Sequence, residues 1–383
     1  MKILHVIPSV SPIYGGPSLA VKAMTSSLVK AGLEVDIATT TANGTTEMNV
    51  PLASPVIETG VRYHYFPRSL PRQWSFSPLL ARWLYENVRN YDLLHIHALF
   101  SYTTLPACHF ARKSGVPYVL RPLGTLSPWS LSQKKLRKKI YYSLFEKKNL
   151  LSASAVHATS EFEARDLKIL GVREKVHIIP LGIKEMPLPE RKASQNGVPR
   201  LLFLSRLNAE KGLPLLLQSM ASLVETGICP CLTVAGSGDP AYLSQIRDEV
   251  GRLKLSSQVE FMGFVEGEKK TQLFADSDIF VLPSNHENFG LAAAEAMAAG
   301  LPVVVSDQVG VSPEILKFGA GIVVERNSRS LTQGLTKLIS DPSLRKKMGE
   351  QGKKLVQERF SWDKVGEELA KLYKKILSEN SCR

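Results

Sequence analysis

Residues 278–307, DIFVLPSNHENFGLAAAEAMAAGLPVVVSD, admit few folds. The apolar run from Asp278 to Pro283 lacks polar alternation, the pattern of a strand buried on both faces of a parallel sheet. It breaks at the polar turn Ser284-Asn285-His286-Glu287-Asn288 and reaches Phe289-Gly290. An Ala-rich helix follows from Leu291 and ends at Gly300, and Pro302–Ser306 reads as a second buried strand. A strand–loop–helix–strand unit of this kind belongs to a doubly wound α/β sheet, whose ligands bind at the carboxyl edge where this loop lies. Glu287 in the loop and Glu295 in the helix place two carboxylates there. Glu295 stands among Ala292, Ala293, Ala294, Ala296 and Ala298, and a charge on such a helix between apolar strands calls for a partner. The plainer reading is a solvated helix face with a loop acid.

At 383 residues the chain is long enough for two domains. No run approaches the length of a transmembrane helix, and MKILHVIPSV reads as a first strand rather than a signal peptide. Cys108, Cys229, Cys231 and Cys382 form neither a disulfide framework nor a zinc set, which points to a reducing, cytoplasmic setting. The net charge of +13 is uneven: residues 1–185 hold 23 Lys and Arg against 12 Asp and Glu, the remainder 25 against 23. The first half is therefore expected to meet something anionic: a lipid surface, a phosphorylated acceptor or nucleic acid.

In chain order, Lys2–Ile7 is a strand that leads through Gly15-Gly16 to a helix over Pro17–Ala31. The paired glycines let an anion approach the helix N-terminus, though turns need glycine anyway. Val35–Thr40, Val61–Phe66, Asp92–His97, Val116–Leu120, Ala155–Thr159 and Val176–Pro180 complete a seven-strand domain, with 41–60 expected as loop. His95 and His97 share one strand face, as core histidines or as the start of a metal set that nothing nearby completes. Ser130–Leu151 carries Lys134, Lys135, Arg137, Lys138, Lys139, Lys147 and Lys148, with Leu136, Ile140 and Leu144 at helical spacing. Such a basic amphipathic helix suits a membrane surface, a soluble helix with solvated lysines, or nucleic acid, although no nucleic-acid module is evident. Residues 184–199 read as a linker. The second domain begins at Arg200–Ser205, whose following loop holds Arg206 and Lys211, two cations able to clamp a diphosphate. The glycine turn 236–239 and the segment Gly263-Phe264-Val265 lie at the same edge.

Together these motifs resemble a retaining GT-B glycosyltransferase of the large fourth family, which holds sucrose synthases and many bacterial mannosyl- and glucosyltransferases. The resemblance rests on Glu287 and Glu295 within N-F-G-L-…-E-A-M-A-x-G-x-P-V-V, on S-R-L-…-E-K-G at 205–212, on Gly236-Ser237-Gly238, on G-F-V at 263–265 and on Gly15-Gly16. It implies two Rossmann-like domains, 1–183 and 200–360, facing a central cleft, with 361–383 returning to the first domain. It implies transfer of a sugar from a nucleotide-diphosphate-sugar to a saccharide or lipid-linked acceptor, without a metal or other cofactor, in cell-surface or exopolysaccharide synthesis. Arg206 and Lys211 would hold the diphosphate, Gly16 with Gly15 would admit it, and Gly236 and Gly238 would line it. Phe264 and Val265 would meet the base and Glu295 the ribose. Glu287, with the backbone N–H groups of Asn288, Phe289 and Gly290, would hold the sugar, and Leu291 would belong to the donor site. Many relatives carry a histidine after the strand at 116–120. Here that place reads Arg121-Pro122-Leu123-Gly124, followed by Pro128-Trp129, as in an exopolysaccharide-type subgroup. Arg121 and His97 are accordingly candidates for the sugar or acceptor. Lys134, Lys135, Arg137, Lys138 and Lys139 are candidates for attachment to the inner face of a membrane. A sugar-nucleotide epimerase on the same fold and a non-catalytic basic membrane- or nucleic-acid-binding protein are the alternatives.

Overall fold

The computed structural model describes residues 1–52, 54–127, 130–131, 135–185, 187, 189 and 199–381. It divides into two units, Met1–Gly182 with Trp362–Arg383, and Ile183–Ser361. Most of the expected linker lies outside the described residues.

The first unit is built on an eight-stranded sheet. Its strands are β1 (Lys2–Ile7), β2 (Glu34–Thr40), β5 (Val56–Glu58), β6 (Val61–Phe66), β7 (Leu93–His97), β8 (Tyr118–Arg121), β9 (Ala155–Ala158) and β10 (Val176–Ile178). A separate ribbon pairs β3 (Ala42–Asn43) with β4 (Thr46–Glu47). The order in the sheet is β10-β9-β8-β7-β1-β2-β6-β5. The seven predicted strands run parallel, and β5 adds an antiparallel edge on β6. Residues 41–60 are thus not simply loop. Their strands are two or three residues long and partly exposed, too short to show an apolar pattern.

The sheet has a core on each face. One is formed with the helices Pro78–Asn87, Thr104–Ser114 and Glu161–Ile169. The other lies under the helix Gly16–Lys30 and the C-terminal helix Trp362–Ser381, whose Val365, Leu369, Leu372, Tyr373 and Ile376 are buried there. Gly366 and Ser27 meet so closely that a Cβ on Gly366 would crowd the Ser27 side chain.

The second unit holds a six-stranded, all-parallel sheet of β11 (Arg200–Leu204), β12 (Cys231–Ala235), β13 (Val259–Gly263), β14 (Ile279–Leu282), β15 (Val303–Ser306) and β16 (Gly321–Val324), in the order β13-β12-β11-β14-β15-β16. β14 and β15 are buried throughout, as their unbroken apolar runs require. In each sheet the winding reverses beside the first strand, between β1 and β7 and between β11 and β14. In doubly wound sheets ligands bind at the loops that follow such strands.

The C-terminal helix is held by one polar bond as well as by packing. The Tyr373 hydroxyl lies 2.6 Å from Nδ1 of His95 on β7, and both residues are fully buried. Tyr373→Phe leaves that nitrogen without its partner in the interior, so a loss of about 1–3 kcal/mol of stability is expected, measured by denaturant unfolding of the full chain.

Candidate active site

The crevice of the second unit gathers most of the predicted residues. Lys211 ends the loop after β11 and is almost wholly buried. Its ammonium donates a short hydrogen bond to Glu287, in the loop after β14. An ion pair thus spans the switch point. A second bridge is made where the Asn285 N–H donates to the Glu210 carbonyl at 2.6 Å. From the other side, the Glu287 N–H donates to the Gln308 carbonyl at 3.1 Å and the Gly310 N–H to the Glu287 carbonyl at 2.9 Å. Arg326 donates to the Asn285 side chain. The loop that carries Glu287 is therefore fixed at several points before any ligand arrives.

Beyond that loop, the helix Leu291–Ala298 starts at Gly290 with no side-chain cap, which leaves its N-terminus to backbone alone. Glu295 accepts a 2.7 Å hydrogen bond from Lys270, on the helix Gly267–Asp276, and both are largely shielded from solvent. The predicted need of Glu295 for a partner is met, and the partner is a residue that sequence reasoning missed. One of two adjacent lysines on a polar helix carries no signal that singles it out. Glu210, beside Lys211, has its carboxyl raised above the usual range, chiefly by burial, and its Oε1 has no partner among the described residues.

Gly236 and Gly238 owe their identity first to packing. A Cβ on Gly236 would strike the Ser205 carbonyl and one on Gly238 the Leu207 carbonyl, while the Leu207 N–H donates to Ser237 O at 2.8 Å. The glycine turn and the Arg206 loop are thus laid directly on one another. The Gly263 carbonyl accepts from the Gly236 N–H at 2.7 Å, which ties the segment 263–265 to the glycine turn. Phe264 and Arg206 are exposed, and Val265 is half-buried.

In the first unit, Gly15 precedes a helix that begins at Gly16, again without a side-chain cap. His97 and Arg121 face each other across β7 and β8 and are no more than 1% exposed. They belong to a buried polar cluster with His5, His95, His157 and Tyr373. The Ile179 carbonyl accepts from Nε2 of His157 at 2.8 Å. This leaves Nδ1 of His157 to accept from Nε2 of His95, at 3.4 Å, and Nδ1 of His95 to accept from the Tyr373 hydroxyl. Every histidine in that chain is neutral. His5 Nδ1 and His97 Nε2 are 3.0 Å apart, and their other ring nitrogens have no partner among the described residues.

His5, His95 and His97 bring ring nitrogens within 4.8 Å of one another, close enough to suggest a metal trio. The charge around them argues otherwise. Arg121 is buried beside them with Nε and Nη1 unpartnered; burial lowers its pKa to about 10, so it stays cationic at neutral pH. A divalent cation there would meet a buried positive charge and, among the described residues, no carboxylate or thiolate ligand. His5 and His157 escaped the sequence reading because they lie on strands far apart in sequence. Glu163 sets the turn after Arg121, accepting from the Gly124 N–H at 2.6 Å and the Thr159 N–H at 2.8 Å. Of the basic residues, Lys138 bonds the Ser130 carbonyl at 2.6 Å, Arg137 and Lys139 are exposed, and Lys134 and the Lys135 side chain lie outside the described residues.

Residues 187–355 match the family described as glycosyl transferases group 1, and residues 15–182 match a glycosyl transferase 4-like domain. The chain is 30% identical to the uncharacterized glycosyltransferase MJ1607 of Methanocaldococcus jannaschii over 98% of both chains. It belongs to the group 1 glycosyltransferases. Sucrose-phosphate synthase from Thermosynechococcus elongatus shares the fold at a TM-score of 0.79 and 21% identity, over 99% of each chain. Anabaena HepE, solved with UDP and glucose, does so at a TM-score of 0.72 and 21% identity, over 98% of this chain and 100% of that one. The two Rossmann-like, parallel-sheet units are those of the GT-B glycosyltransferase fold.

The histidine cluster makes this glycosyltransferase acid-sensitive. Burial, and then neighbouring positive groups, hold His5 and His157 near pKa 3 and His95 and His97 well below 6.5. The unfolded chain takes up protons below about pH 6.5 that the folded chain refuses, so stability is full above that pH and falls as pH drops. A loss of up to about 2 kcal/mol per histidine is expected between about pH 7 and about pH 5, read from denaturant unfolding across that range.

Proposed function

We propose that the enzyme transfers a hexose from a nucleotide-diphosphate-sugar to a saccharide or lipid-linked acceptor, with retention at the anomeric carbon and without a metal. The observation that carries this reading is the pairing of both site carboxylates with lysines, Lys211 with Glu287 and Lys270 with Glu295, at the switch point of the second sheet. The UDP in Anabaena HepE makes a uridine nucleotide the first donor to test.

In this reading the exposed Arg206 closes on the diphosphate, and Lys211 supplies the second positive charge as the leaving phosphate becomes more anionic. In the first unit, the uncapped N-terminus at Gly16 offers backbone N–H donors to an anion. Glu295 accepts from the ribose hydroxyls. Glu287 and the backbone from Asn288 to Leu291 hold the sugar, with Glu287 kept in place by Lys211. The bond from the anomeric carbon to the phosphate oxygen breaks, and the acceptor oxygen bonds that carbon on the same face. The acceptor proton passes to the departing phosphate oxygen. The protein's contribution is position and charge. Gly236 and Gly238 hold the Arg206 loop, Phe264 and Val265 border the base, and His97 and Arg121 act from beneath the acceptor side. A role in cell-surface or exopolysaccharide synthesis, at the cytoplasmic face of a membrane, fits such an acceptor.

A thermal-shift panel of UDP-, GDP- and ADP-sugars, followed by product analysis, tests the reading. Lys211→Ala and Glu287→Ala should each lower kcat/KM by about 10²–10³. Lys270→Ala should raise donor KM about tenfold with kcat little changed. The proposal fails if no nucleotide-sugar raises the melting temperature and Glu287→Ala transfers normally. Conversion of a donor without acceptor would make the enzyme an epimerase. Salt-sensitive nucleic-acid binding that survives Arg206→Ala and Lys211→Ala would mark a non-catalytic binding protein.

A further inference from the structure

The helical segment from Lys135 to Leu151 presents its apolar residues outward. It comprises Lys135–Tyr141, a π turn over Tyr142–Glu146 and Lys147–Leu151. Leu136, Ile140 and Leu144 recur every four residues and are 73%, 52% and 64% exposed, with Phe145 beside them at 42%. Amphipathic spacing ordinarily buries such a stripe against the fold. Here the opposite side is anchored. Leu150 lies in the core, and the Asn149 carbonyl accepts from the Tyr118 hydroxyl at 2.6 Å. Glu146 accepts from the Phe100 N–H at 2.7 Å and from Asn149 at 3.1 Å. The segment is thus bound to the fold through Glu146, Asn149, Leu150 and Tyr142, and the ridge remains in solvent.

Charge identifies what covers the ridge. Arg137, Lys139, Lys147 and Lys148 are exposed alongside it, and Glu146, the only acid between residues 130 and 152, is buried. Trp74 packs edge-on against Tyr141 from the adjoining loop and is partly exposed, an aromatic of the kind that sits at headgroup level. A nucleic-acid backbone would match the cations and leave the ridge uncovered. We propose that this segment lies in the plane of an anionic lipid surface, with Leu136, Ile140 and Leu144 inserted below the headgroups and the flanking cations on lipid phosphates. The anchor takes its biological sense from the peripheral location proposed above, and it refines that location from electrostatic attraction to shallow insertion.

The test is flotation of the full chain with vesicles of phosphatidylcholine alone and of phosphatidylcholine mixed with phosphatidylglycerol, at low and high salt. Flotation with the mixed vesicles is expected. The double change Ile140→Ser and Leu144→Ser should weaken it about tenfold or more at either salt. Arg137→Gln with Lys139→Gln should weaken it about tenfold at low salt and little at high salt. Unchanged melting temperatures and unchanged nucleotide-induced shifts confirm that the variants fold. No flotation with mixed vesicles, or flotation unaffected by the serine pair, overturns the proposal. So does a dimer in light scattering that the serine pair dissolves, which would assign the ridge to a second copy. Flotation that persists while every nucleotide-sugar fails to bind would leave the anchor standing and remove the donor reading.

Discussion

A buried ammonium cannot stand alone, and the second unit is arranged around satisfying one. Lys211 is 6% exposed, and the group that neutralises it, Glu287, belongs to a loop that leaves a different strand. The cost of an unpaired charge in the interior is several kcal/mol, so the pair fixes the two loops to each other. Gly212 makes the approach sterically feasible. It has a positive φ, and a Cβ there would collide with the Pro283 carbonyl. The stretch at 284–290 is therefore rigid for electrostatic as well as steric reasons. A loop fixed in this way needs little reorganisation when it meets a ligand.

The first unit solves a related problem in another way. Arg121 is as deeply buried as Lys211, yet no short carboxylate contact to its Nε or Nη1 exists among the described residues. The Glu163 carboxylate favours its charge from nearby, and the imidazoles around it can stay neutral. The directional chain from Tyr373 through His95 and His157 to the Ile179 carbonyl uses each ring as donor on one side and acceptor on the other. That chain would be broken by protonation, since an imidazolium accepts nothing. The guanidinium and the neutral rings thus support one state of the cluster, in which Arg121 is charged and the four histidines are not. The C-terminal helix depends on this state through Tyr373.

Much of this was readable from the sequence, and what escaped it did so for identifiable reasons. Long apolar runs such as Val303–Ser306 announce parallel strands because both faces are covered. The motif glycines and acids mark the carboxyl edge because turns and charges are rare between such strands. Short edge elements such as Val56–Glu58 bury too little to leave a pattern. Partnerships across the fold leave none either. His5 pairs with His97, 92 residues away in sequence. Lys270 meets Glu295 from another helix, and nothing in the spacing of either residue shows it.

Two helices with the same periodicity show where pattern stops being informative. Val365, Leu369, Leu372 and Ile376 recur on the C-terminal helix much as Leu136, Ile140 and Leu144 do on the basic one, yet the first set is buried and the second exposed. Charge distribution separates them. On the C-terminal helix acids and bases alternate, with Lys364–Glu367 and Lys375–Glu379 ion pairs on its outer side, which is what a solvated face requires. On the basic helix the exposed charges are of one sign, and like charges in close array destabilise a helix unless a counter-surface neutralises them. The ridge supplies the apolar contact and the unbalanced cations supply the attraction. Neither property serves the folded chain by itself, and together they are the physical grounds for proposing an anionic lipid surface as the partner.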